Sequence, residues 1–318
     1  MDLDLRVRML DWGLRHSGQA SIAGKTREQI VRMRRRPIPR NRLADRVFGG
    51  LAGGVHVDDR VVAGGGGEIP IRVYTPVRGG EPRPVVVNIH GGGWVLGGLD
   101  EADWLCSTVA AEVDAIVVSV GYRLAPEFPY PAGRDDCYAV TCWVAEHADA
   151  LGGRGDRLAV MGDSAGGNLA AVTALLARDR GGPGLLHQVL IYPATDLTMQ
   201  SASLVWEADG PLLTRADVGA YRSHYLSGGA DPEDPYVSPQ LAPDLSHLPA
   251  ALVVTAEHDP IRDDGRRFAD RLAAAGVATR YTEYIGMPHG FLAFPGLCRS
   301  ARQAVAEVCS ELRRTFSS

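Results

Sequence analysis

Three residues far apart in the chain have the types that acyl transfer needs, with a glycine run upstream of them. Ser164 stands in Gly162-Asp-Ser-Ala-Gly166, between a short apolar run (Leu158 to Met161) and an Ala/Leu-rich segment of helical character (Asn168 to Arg178). Strand, tight turn and helix is the setting in which a serine is exposed on a strained elbow at the top of a sheet. Gly162 and Gly166 carry no side chain, so strand and helix can pass close to the turned serine. Taken alone, the pentapeptide reads equally well as a glycine-containing βα turn.

A serine hydroxyl is a poor nucleophile until a base takes its proton, and that base is best held by a carboxylate. On an elbow of this kind the partners follow in the order Ser, Asp or Glu, His, each on a loop after a strand. The apolar run Ala251-Leu-Val-Val-Thr-Ala256 delivers Glu257-His-Asp259-Pro, and the strand Ala278–Tyr284 delivers Gly286-Met-Pro-His289-Gly-Phe. Asp259 and His289 fall where the order demands, with Glu257 the rival acid. Asp263, Asp264 and Asp270 lie in or at the start of the next helix and are expected on a solvated surface. His56, His147, His187, His224 and His247 have no motif around them, and His258 precedes the wrong element. The developing oxyanion needs backbone N–H donors, each worth about 2.7–4 kcal/mol when removed. Gly91-Gly92-Gly93 after a buried strand leaves such groups unshielded, and the N–H of Ala165 is the other expected donor. A dinucleotide-binding loop is excluded, because Leu96 stands where Gly91-x-Gly93 would require a third glycine.

These residues need strands that end on one edge. Val55-His-Val-Asp-Asp-Arg-Val-Val and Ile69-Pro-Ile-Arg-Val-Tyr-Thr predict strands joined by the Gly64–Gly67 run. Pro84–His90 and Ala115–Gly121 are nearly continuous apolar strands, as in a sheet buried on both faces. Helices are predicted near 100–113, 133–150, 262–275 and 300–315, and a further strand over Leu186–Tyr192. The alternation indicates an α/β protein with a mostly parallel, doubly wound central sheet flanked by helices. Residues 195–248 interrupt it with a Pro-, Asp- and Tyr-rich insertion, including a possible helix over Thr214–Tyr225, suited to capping a site at the strand ends. Residues 1–50, amphipathic around Leu3, Leu5, Val7, Leu10 and Leu14, are expected to form an N-terminal helical cap segment on a catalytic domain of 51–318. The basic run Arg32-Met-Arg-Arg-Arg-Pro-Ile-Pro-Arg40 is expected to be a solvated helix end. Gly24-Lys25-Thr26 fails as a phosphate loop, since Gln19 occupies the required glycine position.

Composition narrows the function classes. The 318 residues are 45% hydrophobic and 22% charged with a net charge of −5, which leaves no footprint for nucleic acid. Five cysteines without a CxxC pair suit reduced thiols better than disulfides or a zinc site. There is no run of 18 apolar residues and no apolar signal core, so a cytoplasmic protein without stable membrane insertion is expected.

His90-Gly-Gly-Gly-Trp, Tyr122-Arg-Leu-Ala-Pro-Glu, Gly162-Asp-Ser-Ala-Gly-Gly-Asn, Asp259-Pro-Ile-Arg-Asp and His289-Gly-Phe together resemble the bacterial hormone-sensitive-lipase family of esterases. The likeness runs from about residue 68 to the C-terminus, in order and at family-like spacing. It implies the α/β-hydrolase fold, Ser164 as nucleophile, His289 as base and Asp259 as orienting acid. It also implies oxyanion donors among Gly91, Gly92, Gly93 and Ala165, with Gly92 and Gly93 favoured, and His90 and Asp163 as supports of the two loops. The expected reaction is hydrolysis of small-molecule esters with short to medium acyl chains, without metal or organic cofactor, in a protein that could be a homodimer. Trp94, Phe128, Trp206 and Leu212 are candidates to line the pocket, each equally readable as core. Amide hydrolysis by the same triad, or a non-catalytic receptor on this scaffold, are the alternatives.

Overall fold

The computed structural model describes residues 3, 5–16, 21–34, 41–78 and 82–317. Eight strands form one sheet: β1 (Val55–Gly64), β2 (Gly67–Pro76), β3 (Arg83–Ile89), β4 (Ile116–Val120), β5 (Gly153–Asp163), β6 (Leu185–Ile191), β7 (Ala250–His258) and β8 (Thr279–Pro288), in the order β1-β2-β4-β3-β5-β6-β7-β8. β1 and β2 are a tight hairpin whose ladder closes at Gly64 opposite Gly67, and β2 runs antiparallel to β4. From β4 to β8 every pairing is parallel. The parallel strands are apolar throughout because both of their faces are covered. Side chains alternate between faces with the pleat. Val85, Val87, Leu158 and Val160 meet α5 (Ala132–His147), α6 (Ala165–Asp179) and α9 (Arg262–Ala274), while Val86, Ala159 and Met161 meet α4 (Asp103–Val113) and α10 (Arg299–Ser317).

Strand order reverses between β3 and β5, so the loops after them open a crevice at the carboxyl ends of the sheet. The elbow strand is longer than its apolar run suggests, and the helix after it starts at Ala165 rather than Asn168. The glycines that look like a loop form the first turn of α6, because close approach to β3 leaves no room for side chains. A Cβ on Gly166 would lie 2.0 Å from Ile89 O, and one on Gly162 would lie 2.2 Å from Gly166 O. β8 extends to Pro288, which brings His289 directly onto the end of a strand.

Between β6 and β7 the chain forms α7 (Ser203–Trp206) and α8 (Arg215–Tyr225). α8 opens with a capping box, Thr214 Oγ1 accepting from Asp217 N at 3.1 Å. The other Asp217 oxygen accepts from Ser21 Oγ (2.5 Å) and from the amides of Ile22 (2.9 Å) and Ala23 (3.3 Å). Burial alone would push this carboxyl up, but these bonds together hold it below its ordinary range. Asp11 accepts from Leu212 N at 3.0 Å, so α1 (Leu5–His16) and Ser21–Ala23 brace the insertion from outside. Val7 is buried as its position in the amphipathic pattern implies, whereas Leu5 is exposed. α2 (Arg27–Arg34) ends in Arg34, which corrects the expectation of a solvated helix end at that residue. Its Nε donates to Val95 O at 2.6 Å and its Nη1 to Glu127 at 2.9 Å. The rest of the basic run, residues 35–40, lies outside the described residues, as do Gln19 and the side chain of Leu14. Among the described residues no helix is long and apolar enough to cross a membrane.

Candidate active site

Ser164 sits between β5 and α6 with φ 55° and ψ −118°, a conformation that costs a non-glycine residue about 1–3 kcal/mol. The elbow is held by the sheet: Ser164 N donates to Ile191 O at 2.8 Å, and Ala194 N donates to Ser164 O at 3.3 Å. Strain thereby becomes a fixed direction for the hydroxyl. Ser164 Oγ lies 2.8 Å from His289 Nε2, and His289 Nδ1 lies 2.7 Å from Asp259 Oδ2. A carboxylate only accepts, so the proton between them belongs to Nδ1, and Nε2 is left with the lone pair that faces the serine hydroxyl. Asp259 is fully buried, and its second oxygen accepts from Ile261 N at 2.8 Å. Glu257, the rival acid, points elsewhere: its Oε2 accepts from Gly286 N at 2.7 Å and pins the bend in β8. His258 lies 3.5 Å from Glu207, away from the serine relay.

The glycine loop after β3 faces the same point. Gly91 N donates to Asp163 Oδ1 at 2.9 Å, so Gly91 is unavailable as an oxyanion donor, contrary to its place among the expected donors. The N–H groups of Gly92, Gly93 and Ala165 make no internal hydrogen bond among the described residues. Gly92 (φ 111°) turns where a Cβ would lie 2.2 Å from Leu96 O, and Gly93 (φ 62°) turns where one would lie 2.2 Å from the ring of Tyr221. Asp163 is the link between the two loops. Burial pushes its carboxyl up to about 6, against the opposing pull of the Gly91 N–H. His90 is buried, which pushes its imidazole down to about 4 and keeps the ring neutral. Its Nδ1 donates to Gly91 O at 2.7 Å, and the ring stacks on Tyr122 at 4.4 Å between centroids. Tyr122 OH in turn donates to His90 O at 2.9 Å. No group of side chains that could hold a metal ion occurs among the described residues.

A family model described as alpha/beta hydrolase fold matches residues 86–293. The carboxylesterase NlhH of Mycobacterium tuberculosis is 46% identical over 266 residues, which cover 82% of this chain and 83% of that protein. The esterase LipI of the same organism is 41% identical over 280 residues, covering 87% of this chain and 85% of LipI. The chain belongs to the alpha/beta hydrolase family. It is a carboxylesterase, of the hormone-sensitive-lipase type that its motifs resemble. A solved hyperthermophilic esterase from the archaeon Pyrobaculum calidifontis superimposes with a TM-score of 0.85 at 40% identity, covering all of both chains.

The esterase's cavity, of about 280 Å³, opens on Ser164 and His289 and has a mainly apolar wall. Trp94 and Leu212 line it, Trp94 with its indole stacked 4.6 Å from Tyr225. Phe128 and Trp206 do not: they are 49% and 72% exposed and lie outside the cavity wall. Phe128 instead lies under the Arg123 guanidinium on the Tyr122–Pro131 loop, and Trp206 ends the four-residue helix α7 with its face to solvent. Asp264, expected on a solvated surface, is buried in the cavity wall and accepts a hydrogen bond from Ser201 Oγ. Sequence reasoning also missed Tyr192, whose ring is 4.8 Å from that of His289, and Tyr221 and Arg222 on α8. Tyr192 carried one usable signal: it is the residue on which the apolar strand after the elbow helix ends. The α8 residues carried none, since a polar insertion does not reveal which helix face turns inward.

Proposed function

We propose that the chain hydrolyses carboxylic esters through an acyl-enzyme on Ser164. His289 Nε2 takes the hydroxyl proton as Oγ attacks the ester carbonyl, and returns it to the leaving alcohol. Asp259 holds the imidazole in the tautomer and orientation that this requires. The oxyanion forms beside the N–H groups of Gly92, Gly93 and Ala165, and water then releases the acid with His289 again as base. His90 and Asp163 act through the loops they hold, with no contact to the reacting atoms. The observation that carries the reading is the unbroken relay Ser164–His289–Asp259, at 2.8 and 2.7 Å, beneath uncommitted loop amides. Residues 195–248 form much of the wall of the cavity away from the sheet, and Asp11 and Ser21–Ala23 brace that insertion, which supports treating residues 1–50 and 195–248 as one cap on the catalytic domain of 51–318. At about 280 Å³ the cavity falls just below the ~300–1,000 Å³ usual for ligand sites, which supports short to medium acyl chains.

Ser164→Ala should abolish hydrolysis of 4-nitrophenyl butyrate and labelling by a fluorophosphonate while the thermal transition is kept. Retained turnover in that variant would sink the assignment. Across 4-nitrophenyl esters of two to sixteen carbons, kcat/KM should peak at the short end; a peak at the long end would mark a true lipase.

A further inference from the structure

Arg222 is a cation in the cavity wall that has no anionic partner among the described residues. It is half-buried on α8 and lines the same space as Ser164 and His289. Its Nε donates to Leu197 O at 2.5 Å, which fixes the guanidinium plane. Among the described residues no carboxylate pairs with it, and its two Nη groups have no acceptor. The acids of that wall are engaged elsewhere, Asp163 by the Gly91 amide at 2.9 Å. Asp196 accepts from Arg267 at 2.6 Å and from Thr198 N at 2.9 Å. Asp264 is buried, which pushes its carboxyl well above the ordinary range, and it accepts a hydrogen bond from Ser201 Oγ. Leu204, Leu213, Val218 and Ile261 make much of the remaining surface apolar. Arg222 therefore presents a guanidinium with no carboxylate partner among the described residues, a planar fork whose geometry matches a carboxylate.

We propose that Arg222 selects esters carrying a second, ionised carboxylate. This rests on the hydrolase reading above. A guanidinium held in a largely apolar wall is poorly solvated, so a substrate carboxylate gains more there than it would against a surface arginine. The carboxylate could belong to the acyl part, as in a half-ester of a dicarboxylic acid, or to the alcohol part, as in an ester of a hydroxy acid.

Two pairs of substrates separate these sources: 4-nitrophenyl hydrogen glutarate against 4-nitrophenyl valerate, and 4-butyryloxybenzoate against its methyl ester. The readout is the ratio of kcat/KM for the charged to the neutral member. In Arg222→Gln that ratio should fall at least about tenfold relative to wild type in one pair, which corresponds to ~1.4 kcal/mol. Arg222→Lys should keep part of the preference, and added salt should weaken it in the wild type. Fluorophosphonate labelling of Ser164 in each variant checks that the site is still assembled. An unchanged ratio in both pairs, in variants that label normally, overturns the inference and leaves the hydrolase reading standing. Failure of the wild type to turn over either neutral ester or to label overturns both.

Discussion

Asp259→Asn tests the relay most sharply, because both carboxylate oxygens have fixed work. Oδ2 accepts from His289 Nδ1 at 2.7 Å, and Oδ1 accepts from the Ile261 amide at 2.8 Å. An asparagine has one acceptor oxygen for these two donors. The Ile261 amide belongs to a buried turn and cannot turn away, and an unmet N–H there would cost about 1–3 kcal/mol. The amide oxygen therefore goes to Ile261, and the NH2 group faces His289. Nδ1 must then accept, the imidazole proton moves to Nε2, and the lone pair that faced Ser164 is gone. Stability should change by no more than about 1 kcal/mol, while kcat on 4-nitrophenyl butyrate should fall about 10⁴-fold, the loss seen when a triad carboxylate becomes an amide. At ~1.36 kcal/mol per decade that is roughly 5 kcal/mol of transition-state stabilisation. Glu257→Gln is the matched control: it weakens one hydrogen bond to the Gly286 amide and should leave kcat within about tenfold. Burst and steady-state kinetics with urea denaturation on both variants measure the two effects separately. An Asp259→Asn enzyme within tenfold of wild type, or a larger kcat loss in Glu257→Gln, would refute the assignment of the acid.

Two further outcomes follow from packing and burial. Gly166→Ala should lower stability by about 1–3 kcal/mol and kcat with it, since the new methyl would stand 2.0 Å from the carbonyl of Ile89; an unchanged urea midpoint would contradict the close approach of α6 to β3. His187 is buried and its imidazole is pushed down from 6.5 to about 4, so the folded state holds it neutral while the unfolded chain protonates it. Stability from this group is present above pH 6.5 and lost as pH falls through that window to about 4, on the order of 3 kcal/mol in all. In His187→Gln that component should vanish, and parallel pH series of unfolding free energy should diverge by this amount; parallel curves would remove His187 from acid lability.

What was legible in the residues was whatever depends on local chemistry and order. The serine elbow and the strand-end positions of Asp259 and His289 follow from where apolar runs stop. Asp259 and Glu257, by contrast, leave the same strand end two residues apart and are separated by what their side chains reach, His289 for Asp259 and the Gly286 amide for Glu257. Gly91 illustrates the limit. Three consecutive glycines are alike as residue types, and only the tertiary meeting of β3 with β5 engages the Gly91 amide with Asp163. Phe128, Trp206 and Asp264 failed for a related reason. Large aromatics are expected inside and acids at helix starts outside, but burial of a single side chain is set by the register of a packed helix. Arg34 likewise looked like part of a basic run and proved to be a clamp on the carbonyl of Val95.

On the proposed reading, chemistry and selectivity belong to different parts of the fold. Ser164 and the uncommitted amides sit on two loops that cannot move independently, since Asp163 of the elbow holds Gly91 at 2.9 Å and Gly166 lies against the backbone of Ile89 and His90. A displacement that relaxed the strained Ser164 would have to break the Asp163 bond or open the contact between α6 and β3. The cavity wall is built differently. Leu197, Met199, Leu213 and Arg222 come from the insertion between β6 and β7, where the chain contributes no strand to the sheet. A substitution there changes what is bound without touching the elbow. Arg222→Leu should thus alter which ester is preferred, whereas Asp163→Ala, a residue no closer to the substrate's far end, should lower kcat for every ester by a similar factor.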